Sequence, residues 1–262
     1  MSTQLDSLRA FVAARPNSAA LRDWSNVLVV AGAKGGIGTS TVAALLASAS
    51  ARRGRETLLV DAAAAGSSLP HLLGTPQDHT DDEPLRIAPR LALATPCAGI
   101  GAGNAERTIR YRRATSGFAD YDAVIVDAGA TLDAVVLAAS YAGRLLAVTA
   151  SDRVSIAAAY ALLKVVGHRF SALPLGVLAN RCDAAVGAAA WERITAGTDR
   201  FLGHAIGLAG TIPADHVLDA AIEAGHALDA TTRGVAALAA DDVVGRMLVE
   251  PDTRRSLSLI RN

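Results

Sequence analysis

Short apolar runs that lack alternating polar residues recur along the chain. Each run has five to seven residues and is rich in Leu, Val, Ile or Ala. Strands that are covered on both faces show this pattern, whereas strands with one solvent face alternate polar and apolar residues. We therefore expect buried strands at seven places: 26–32, 56–61, 91–95, 122–127, 144–149, 174–180 and 207–212.

Stretches rich in Ala and Leu separate most of these runs, and their lengths suit helices. They include residues 40–53, 132–142, 154–169 and 188–202. Strands that alternate with helices predict an α/β fold, with a doubly wound, mostly parallel sheet of about seven to eight strands and helices on both faces. Such a sheet binds its ligands at the carboxyl ends of the strands.

Two segments interrupt this alternation. Residues 75–90 are polar and contain proline, which predicts an exposed excursion between strands. Residues 3–14 predict a short helix with an apolar stripe, which either contacts a partner or packs on the domain. We therefore divide the chain into three parts, which are a helix and linker at 1–24, an α/β domain at 25–250 and a tail at 251–262.

Composition and charge narrow the function classes. The chain has 25 basic and 25 acidic residues, so nothing global attracts it to nucleic acid or anionic lipid. Cys97 and Cys182 lie far apart and have no His or Cys neighbours at metal-ligand spacing, which argues against a zinc site or a disulfide framework. With neither a long apolar run nor a signal peptide, we expect a cytoplasmic protein.

One segment, "GAKGGIGTST", has the pattern of a phosphate-binding loop. Gly35, Gly36 and Gly38 follow an apolar strand, and Ser40 and Thr41 open the next helix. Glycines let backbone amides turn toward an anion at a helix N-terminus, and this strand, glycine turn and helix order is the context that such a loop needs. An ordinary glycine-rich turn is the alternative.

The order K-G-G-x-G resembles the deviant phosphate loop of the MinD/ParA family of ATPases, whose pattern is K-G-G-x-G-K-S/T. The resemblance covers nearly the whole chain. It implies that Lys34 is the catalytic lysine, which in relatives reaches across an ATP-sandwiched dimer to the partner's nucleotide. It also implies a loop that binds ATP or ADP through Lys34, Gly35, Gly36, Ile37, Gly38, Thr39, Ser40 and Thr41.

Two positions depart from the family pattern. Thr39 stands where the family has its phosphate-binding lysine, which removes a charge-assisted contact worth on the order of a few kcal/mol. Ala63 stands where relatives carry the acid that orients the attacking water, and an alanine can neither hold nor polarise water. We therefore expect weaker nucleotide binding and weak or absent hydrolysis.

The resemblance also implies a Mg²⁺ site made by Ser40, Asp61 and Asp127. Ser40 matches the metal-binding hydroxyl, and Asp61 matches the first acid at the end of the second strand. Asp127 ends the strand "DAVIVD", where a carboxylate suits a Walker B role, and a helix-capping aspartate is the alternative. The following "AGAT" resembles the switch II segment that senses the γ-phosphate.

A base site is implied at the far edge of the sheet. Asn180 follows the strand "LGVLAN", and in the family an asparagine here reads the adenine edge with its donor and its acceptor. An asparagine that merely forms a turn is the alternative. The segment "AGTIPAD" resembles the other purine wall, which places Ile212 and Pro213 near the base.

Three segments narrow the resemblance to the flagellar-number regulators of this family, the FlhG and FleN group. They are "SIAAAYALLKVV" at 155–166, the "FLG" to "IP" pattern within 201–228, and "TQLDSLR" at 3–9. In that group the N-terminal helix docks on a partner GTPase of the signal-recognition type, FlhF. The resemblance therefore implies partner contacts by Gln4, Leu8 and Arg9, although Thr3 and Leu5 differ from the group's pattern.

The function implied is a nucleotide switch that controls the placement or number of flagella. It would form a nucleotide-dependent homodimer and bind an FlhF-like GTPase and flagellar proteins, but no specific nucleic acid. Since Pro251 interrupts the tail, membrane association is at most weak, so the location is the cytoplasm or the periphery of the inner membrane or cell pole. A scaffold with an empty site, a pilus-placing or division-site relative, and an ATPase rescued by Lys34 in trans remain alternatives.

Overall fold

The computed structural model describes residues 23–63, 68–76, 83–97, 105–202, 205–228 and 231–248. The predicted N-terminal helix, with Gln4, Leu8 and Arg9, lies outside the described residues, and so does the tail from residue 251. The roles expected for those two segments therefore stay predictions.

The strands of the described chain form one eight-stranded sheet in the order β3-β4-β2-β5-β1-β6-β7-β8. Neighbouring strands are parallel except for the antiparallel pair β3 and β4. All seven predicted strands are confirmed. The bounds are β1 Val27–Gly32, β2 Thr57–Asp61, β3 Leu85–Ala88, β4 Leu91–Ala94, β5 Ala123–Asp127, β6 Arg144–Thr149, β7 Leu175–Asn180 and β8 Gly207–Ile212.

Helices connect most of the strands. Their bounds are α1 Thr39–Arg52, α2 Leu69–Leu72, α3 Ala105–Ala114, α4 Leu132–Ala139, α5 Arg153–Arg169, α6 Ala184–Leu202, α7 His216–Glu223 and α8 Val235–Met247, with a 3₁₀-helix at Thr115–Asp120. The four predicted helices are confirmed as α1, α4, α5 and α6. Helix α6 begins before residue 188 because Asp183 accepts a hydrogen bond of 2.8 Å from the amide of Val186.

Both faces of the sheet are buried, as the unbroken apolar runs predict. Along β1, Leu28 and Val30 belong to a core that includes α1 and α8, whereas Val27 and Val29 belong to a second core that includes α4 and α5. This confirms the doubly wound α/β fold. Among the helices of the described chain, none is long and apolar enough to cross a membrane.

The exposed excursion predicted for residues 75–90 is wrong where it covers β3. Leu85–Ala88 pairs with β4, and the turn between them holds Arg90 at a left-handed φ of 60°. Ile87 packs partly buried against the core. Proline and charged residues suggested a loop here, but a strand at the edge of a sheet also tolerates them. Residues 77–82 of this segment lie outside the described chain.

Candidate functional site

The glycine loop between β1 and α1 has the conformation of an anion-binding turn. Gly36 and Gly38 have φ angles of 77° and 82°, in the left-handed region that residues with a side chain rarely adopt. Gly38 is the N-cap of α1, and no side chain caps the helix there. The first-turn amides of α1 are therefore left to an external acceptor, for which phosphate is well suited.

Thr39 does not extend over the loop in the way that a lysine could. Its side chain is 8% exposed, and a Cβ placed on Gly32 would lie only 2.2 Å from its Oγ1 atom. The hydroxyl therefore fills the space beside the end of β1. Lys34, in contrast, is exposed at the surface of the loop.

Asp61 and Asp127 end neighbouring parallel strands and lie directly opposite each other in the register of β2 and β5. The Oδ1 atom of Asp127 accepts a hydrogen bond of 2.9 Å from the amide of Gly129, and the Oδ1 atom of Asp61 accepts one of 3.2 Å from the amide of Ala63. Both residues are buried, with Asp127 0% and Asp61 3% exposed. The expected pair of acids is thus brought together.

Burial raises the pKa of Asp127 above its ordinary value, and the nearby Ser40 hydroxyl and the hydrogen bond from the Gly129 amide oppose the rise. Its Oδ2 atom is buried and has no hydrogen-bond partner in the described part of the chain. Such an atom is costly unless something positive faces it. Two carboxylates and a hydroxyl are the oxygen donors that Mg²⁺ prefers, so Ser40, Asp61 and Asp127 fit this ion.

The residues do not form a cage that could hold a metal ion alone. No cluster of three or more His, Cys, Asp or Glu side chains occurs among the described residues. Mg²⁺ is commonly bound by one or two carboxylates together with waters and substrate phosphates. A site that depends on bound phosphate therefore agrees with this donor set.

Ala63 lies against the segment that follows Asp127. A Cβ placed on Gly129 would lie 3.0 Å from the Cβ of Ala63, and Gly129 has a left-handed φ of 62°. The carbonyl of Gly129 also accepts a hydrogen bond of 2.7 Å from the amide of Gly32. The methyl group of Ala63 thus faces the segment that resembles switch II, where it presents no polar atom.

A cavity of about 200 Å³ adjoins the loop on the side of β7 and β8. It brings together six of the residues expected at the nucleotide, which are Gly36, Gly38, Thr41, Asn180, Ile212 and Pro213. The other loop residues that were predicted, Lys34, Gly35, Ile37, Thr39 and Ser40, do not line this cavity.

Asn180 connects the cavity to the loop. Its side chain is 6% exposed, and its Nδ2 atom donates a hydrogen bond of 2.8 Å to the carbonyl oxygen of Ile37. A Cβ on Gly38 would lie 2.6 Å from that Nδ2 atom, so this contact also requires glycine. One of the two Nδ2 hydrogens is therefore engaged, which fixes the orientation of the amide and leaves the other hydrogen and the Oδ1 acceptor for a base.

Asp215 is a structural residue of the cavity wall that the sequence analysis did not identify. Its Oδ1 atom accepts hydrogen bonds from the amides of Val217 and Leu218 at the start of α7, and its Oδ2 atom accepts one of 3.1 Å from the amide of Ala236 in α8. One carboxylate thus caps two helices. An aspartate directly before an apolar helical run was the available signal.

Arg181 and Asp219 form a second unpredicted feature of this wall. Their two hydrogen bonds, of 2.8 and 2.9 Å, make a bidentate pair. The Arg181 hydrogen bond lowers the pKa of Asp219, and Asp219 in turn raises that of Arg181. Because the two residues lie 38 positions apart, the sequence gave no sign of this contact.

Arg107 brings an unexpected cation to the end of β2. It is 2% exposed, and its Nη2 atom donates a hydrogen bond to the carbonyl oxygen of Ala62. Helix α3 contains four arginines, and the sequence does not indicate which of them is buried. The Arg107 guanidinium thus contacts the backbone of Ala62, the residue that precedes Ala63.

Comparison with known proteins agrees with this geometry. Residues 23–111 match the model of the ParA family, which is described as an NUBPL iron-transfer P-loop NTPase. Over 231 residues the chain is 30% identical to the antiactivator FleN of Pseudomonas aeruginosa, and the match covers 81% of this chain and 82% of FleN.

Solved structures share the fold. The MinC:MinD cell division protein complex of Aquifex aeolicus contains a chain that matches with a TM-score of 0.67 and 21% identity, over 86% of this chain and 96% of that one. The septum site-determining protein MinD of Pyrococcus horikoshii, complexed with Mg-ADP, matches with a TM-score of 0.61 and 21% identity, over 84% and 94% of the two chains.

Proposed function

Because the chain belongs to the MinD/ParA family of P-loop NTPases, we propose that it is a regulatory switch that binds ATP or ADP with Mg²⁺. The proposal includes weak or absent ATP hydrolysis and a role in the placement or number of flagella. Its similarity to the antiactivator FleN supports a regulator rather than a metabolic enzyme.

The observation that carries the proposal is the unpartnered Oδ2 atom of Asp127 at the end of β5. A buried carboxylate whose pKa is raised by burial favours a bound cation in its neighbourhood. Ser40, Asp61 and Asp127 would hold Mg²⁺, which, when bound, neutralises charge on the nucleotide's phosphates. The Mg-ADP complex of the Pyrococcus horikoshii relative supports the same pairing of metal and nucleotide.

Phosphate binding in this proposal rests on the loop's main chain rather than on the side chain at 39. The uncapped N-terminus of α1 and the left-handed glycines supply amides that can face a phosphate group. Lys34 adds a positive charge on the exposed side of the loop. Affinity is therefore lower than in a relative with both lysines, but it is not lost.

Weak hydrolysis follows from what surrounds the end of β2. Ala63 faces Gly129 with a methyl group, so that position cannot accept a proton from water or orient it. Arg107 lies nearby, but its side chain offers only N–H donors and cannot act as a base. A switch tolerates slow turnover, because its output depends on the difference in affinity between two states.

The switch itself is the exchange between monomer and homodimer. Lys34 is exposed, as a residue must be that reaches a partner subunit's nucleotide. Sedimentation velocity of the full chain with Mg-ATP, with Mg-ADP and without nucleotide tests this step. We expect a dimer only with Mg-ATP, and a monomer for Lys34→Ala under all three conditions. The same mass in every condition would contradict the switch.

The cellular role is tested by counting flagella. In the organism that encodes this chain, deletion should change the number or the position of flagella, and the intact gene should restore them. Unchanged flagella with altered pili would instead favour a pilus-placing function, and misplaced division septa would favour a division-site function.

A second candidate function is a scaffold whose site stays empty, and Thr39 and Ala63 both favour it. Binding of an FlhF-like GTPase to the full chain separates the two proposals. A switch predicts that the amount of GTPase retained changes when Mg-ATP or Mg-ADP is added, whereas a scaffold predicts equal retention in all conditions.

A further inference from the structure

A wide groove of about 570 Å³ lies between α5 and α6. Helix α5 contributes residues spaced three and four apart and helix α6 contributes two residues spaced four apart, so each wall is one face of a helix. The lining residues are Arg153, Ile156, Ala157, Tyr160, Arg193 and Gly197. None of them belongs to the nucleotide site described above.

The Tyr160 ring packs directly on the backbone of α6. A Cβ placed on Gly197 would lie 2.7 Å from the Cε2 atom of Tyr160, so a larger residue at 197 would displace the ring. The ring and the neighbouring Ile156 and Ala157 provide an apolar surface beside this contact. The groove therefore offers space for an apolar side chain.

Two cations flank this surface without a partner. Neither the guanidinium of Arg153 nor that of Arg193 has a hydrogen bond or an ion pair in the part of the chain that the structure describes, and both side chains are exposed. The adjacent carboxylate of Asp152 accepts hydrogen bonds from the amides of Val154 and Ser155 at the start of α5. The groove therefore presents positive charge that its own residues leave uncompensated.

We infer that this groove is a docking site for an acidic segment of a partner protein that also carries an apolar side chain. Arginine guanidinium groups pair with carboxylates in a bidentate manner, and Tyr and Arg are enriched at interfaces and among the residues that dominate binding energy. A small molecule is a poorer occupant, because ligand pockets bury most of the ligand's surface and this groove is open to solvent.

The position of the groove connects it to the phosphate loop. Arg153 is the first residue of α5, and Asp152 directly precedes it. Hydrogen bonds from Ser155 lower the pKa of Asp152 most, and the charge of the nearby Lys34 lowers it further. A docked segment would thus lie beside the end of the loop. Docking does not require a bound nucleotide, so binding is measured without one.

The test is selection of peptides from a random phage-displayed library on the full chain without nucleotide. A selected peptide is then titrated by fluorescence anisotropy against the wild type, against the double variant R153E and R193E, and against the double variant R112E and R113E. Arg112 and Arg113 are exposed arginines of α3 outside the groove, so reversing both of them matches the change of charge. Ala157→Trp fills the groove without changing its charge, and Ala220→Trp on α7 is its control.

We expect selected peptides to be rich in Asp and Glu and to contain an aromatic or aliphatic residue. Affinity should fall about tenfold or more in R153E with R193E and in Ala157→Trp, should fall with added salt, and should persist in R112E with R113E and in Ala220→Trp. Peptides without acidic residues, or peptides that bind every variant equally, would overturn the inference. Circular dichroism of each variant separates lost binding from lost folding.

Discussion

The Nδ2 atom of Asn180 donates a hydrogen bond of 2.8 Å to the carbonyl oxygen of Ile37, and this bond ties the end of β7 to the glycine loop. The two residues lie 143 positions apart in the chain. Because Asn180 also lines the cavity beside the loop, the parts of the site that would hold phosphate and base are held in one fixed relation.

This bond predicts a preference for ATP over GTP. With one Nδ2 hydrogen engaged by Ile37, the Asn180 amide keeps a fixed orientation and offers a base its second Nδ2 hydrogen and its Oδ1 acceptor. Adenine presents a matching amine donor and ring-nitrogen acceptor, whereas guanine presents two acceptors on that edge and leaves Oδ1 without a donor. A mismatched buried polar pair costs about 1–3 kcal/mol, so we expect GTP to bind roughly 5- to 150-fold more weakly. Competition of each nucleotide against a fluorescent ADP analogue measures the ratio. Equal affinity would contradict this role of Asn180.

Restoring the two family residues should change affinity and turnover separately. Thr39→Lys replaces a buried hydroxyl beside Gly32 with a charge-assisted phosphate contact, and should tighten ATP binding by about 1.5–3 kcal/mol. Adding Ala63→Asp places a carboxylate against Gly129 and should raise turnover by about 10²–10⁴-fold. Calorimetry measures the affinity, and phosphate release measures the rate.

The control for this pair is Ala63→Asn, which has nearly the same shape as Ala63→Asp but cannot act as a base. It should leave turnover low when combined with Thr39→Lys. If the wild type already hydrolyses ATP rapidly, and the two restorations change the rate little, the chain is instead an ATPase rescued by other groups such as Lys34 in trans.

Asp127→Asn should separate fold stability from metal binding. Burial raises the pKa of Asp127, so the folded protein keeps this proton to higher pH than the unfolded chain does, and stability falls as pH rises through that interval. The variant lacks this penalty. Without Mg²⁺ its melting temperature at neutral pH should equal or exceed that of the wild type, measured by scanning calorimetry across pH.

The same variant should lose the contribution of Mg²⁺ to nucleotide affinity, by about 10- to 100-fold, because groups that hold a metal through water typically have effects of that size. ADP titrated with and without Mg²⁺ measures it. An Asp127→Asn variant that melts lower without metal, and binds Mg-ADP as tightly as the wild type, would show that the carboxylate is structural.

Asp215→Ala should destabilise the fold through two helix N-termini at once. The change removes the acceptor for the amides of Val217, Leu218 and Ala236, and we expect a loss of about 1–4 kcal/mol in the free energy of unfolding. Asp152 caps only α5 and is exposed, so Asp152→Ala should cost less. Urea denaturation of both variants measures the difference, and equal losses would contradict the double cap.

Much of the fold follows from local pattern alone. Runs such as "AVIVD" at Ala123–Asp127 lack alternation because both faces are covered, and this one property identifies seven of the eight strands. The strand Leu85–Ala88 was missed because an edge strand tolerates the charges and the proline that otherwise indicate a loop. Its pairing with β4 is a tertiary contact that local pattern does not contain.

The candidate site, like the fold, was only partly predictable from local sequence. The loop glycines and Asp127 could be located because strand ends and glycine turns are local features of the sequence. The engagement of Asn180 by Ile37, the burial of Arg107 and the pairing of Arg181 with Asp219 could not, because each depends on which distant element packs beside it. Asp215 is an intermediate case, because it directly precedes α7 in the sequence, whereas its hydrogen bond to α8 is a long-range contact.

Titration calorimetry with Mg-ATP and Mg-ADP tests the central claim, that the main chain between Ala33 and Thr41 binds a nucleotide without the lysine at 39. We expect saturable heat for the wild type and none for Gly38→Val, because Gly38 has a φ of 82° and a Cβ there would meet Asn180. Gly207→Ala, at a glycine with open space around it, should bind like the wild type. No heat from the wild type at millimolar nucleotide would contradict the claim and leave a scaffold.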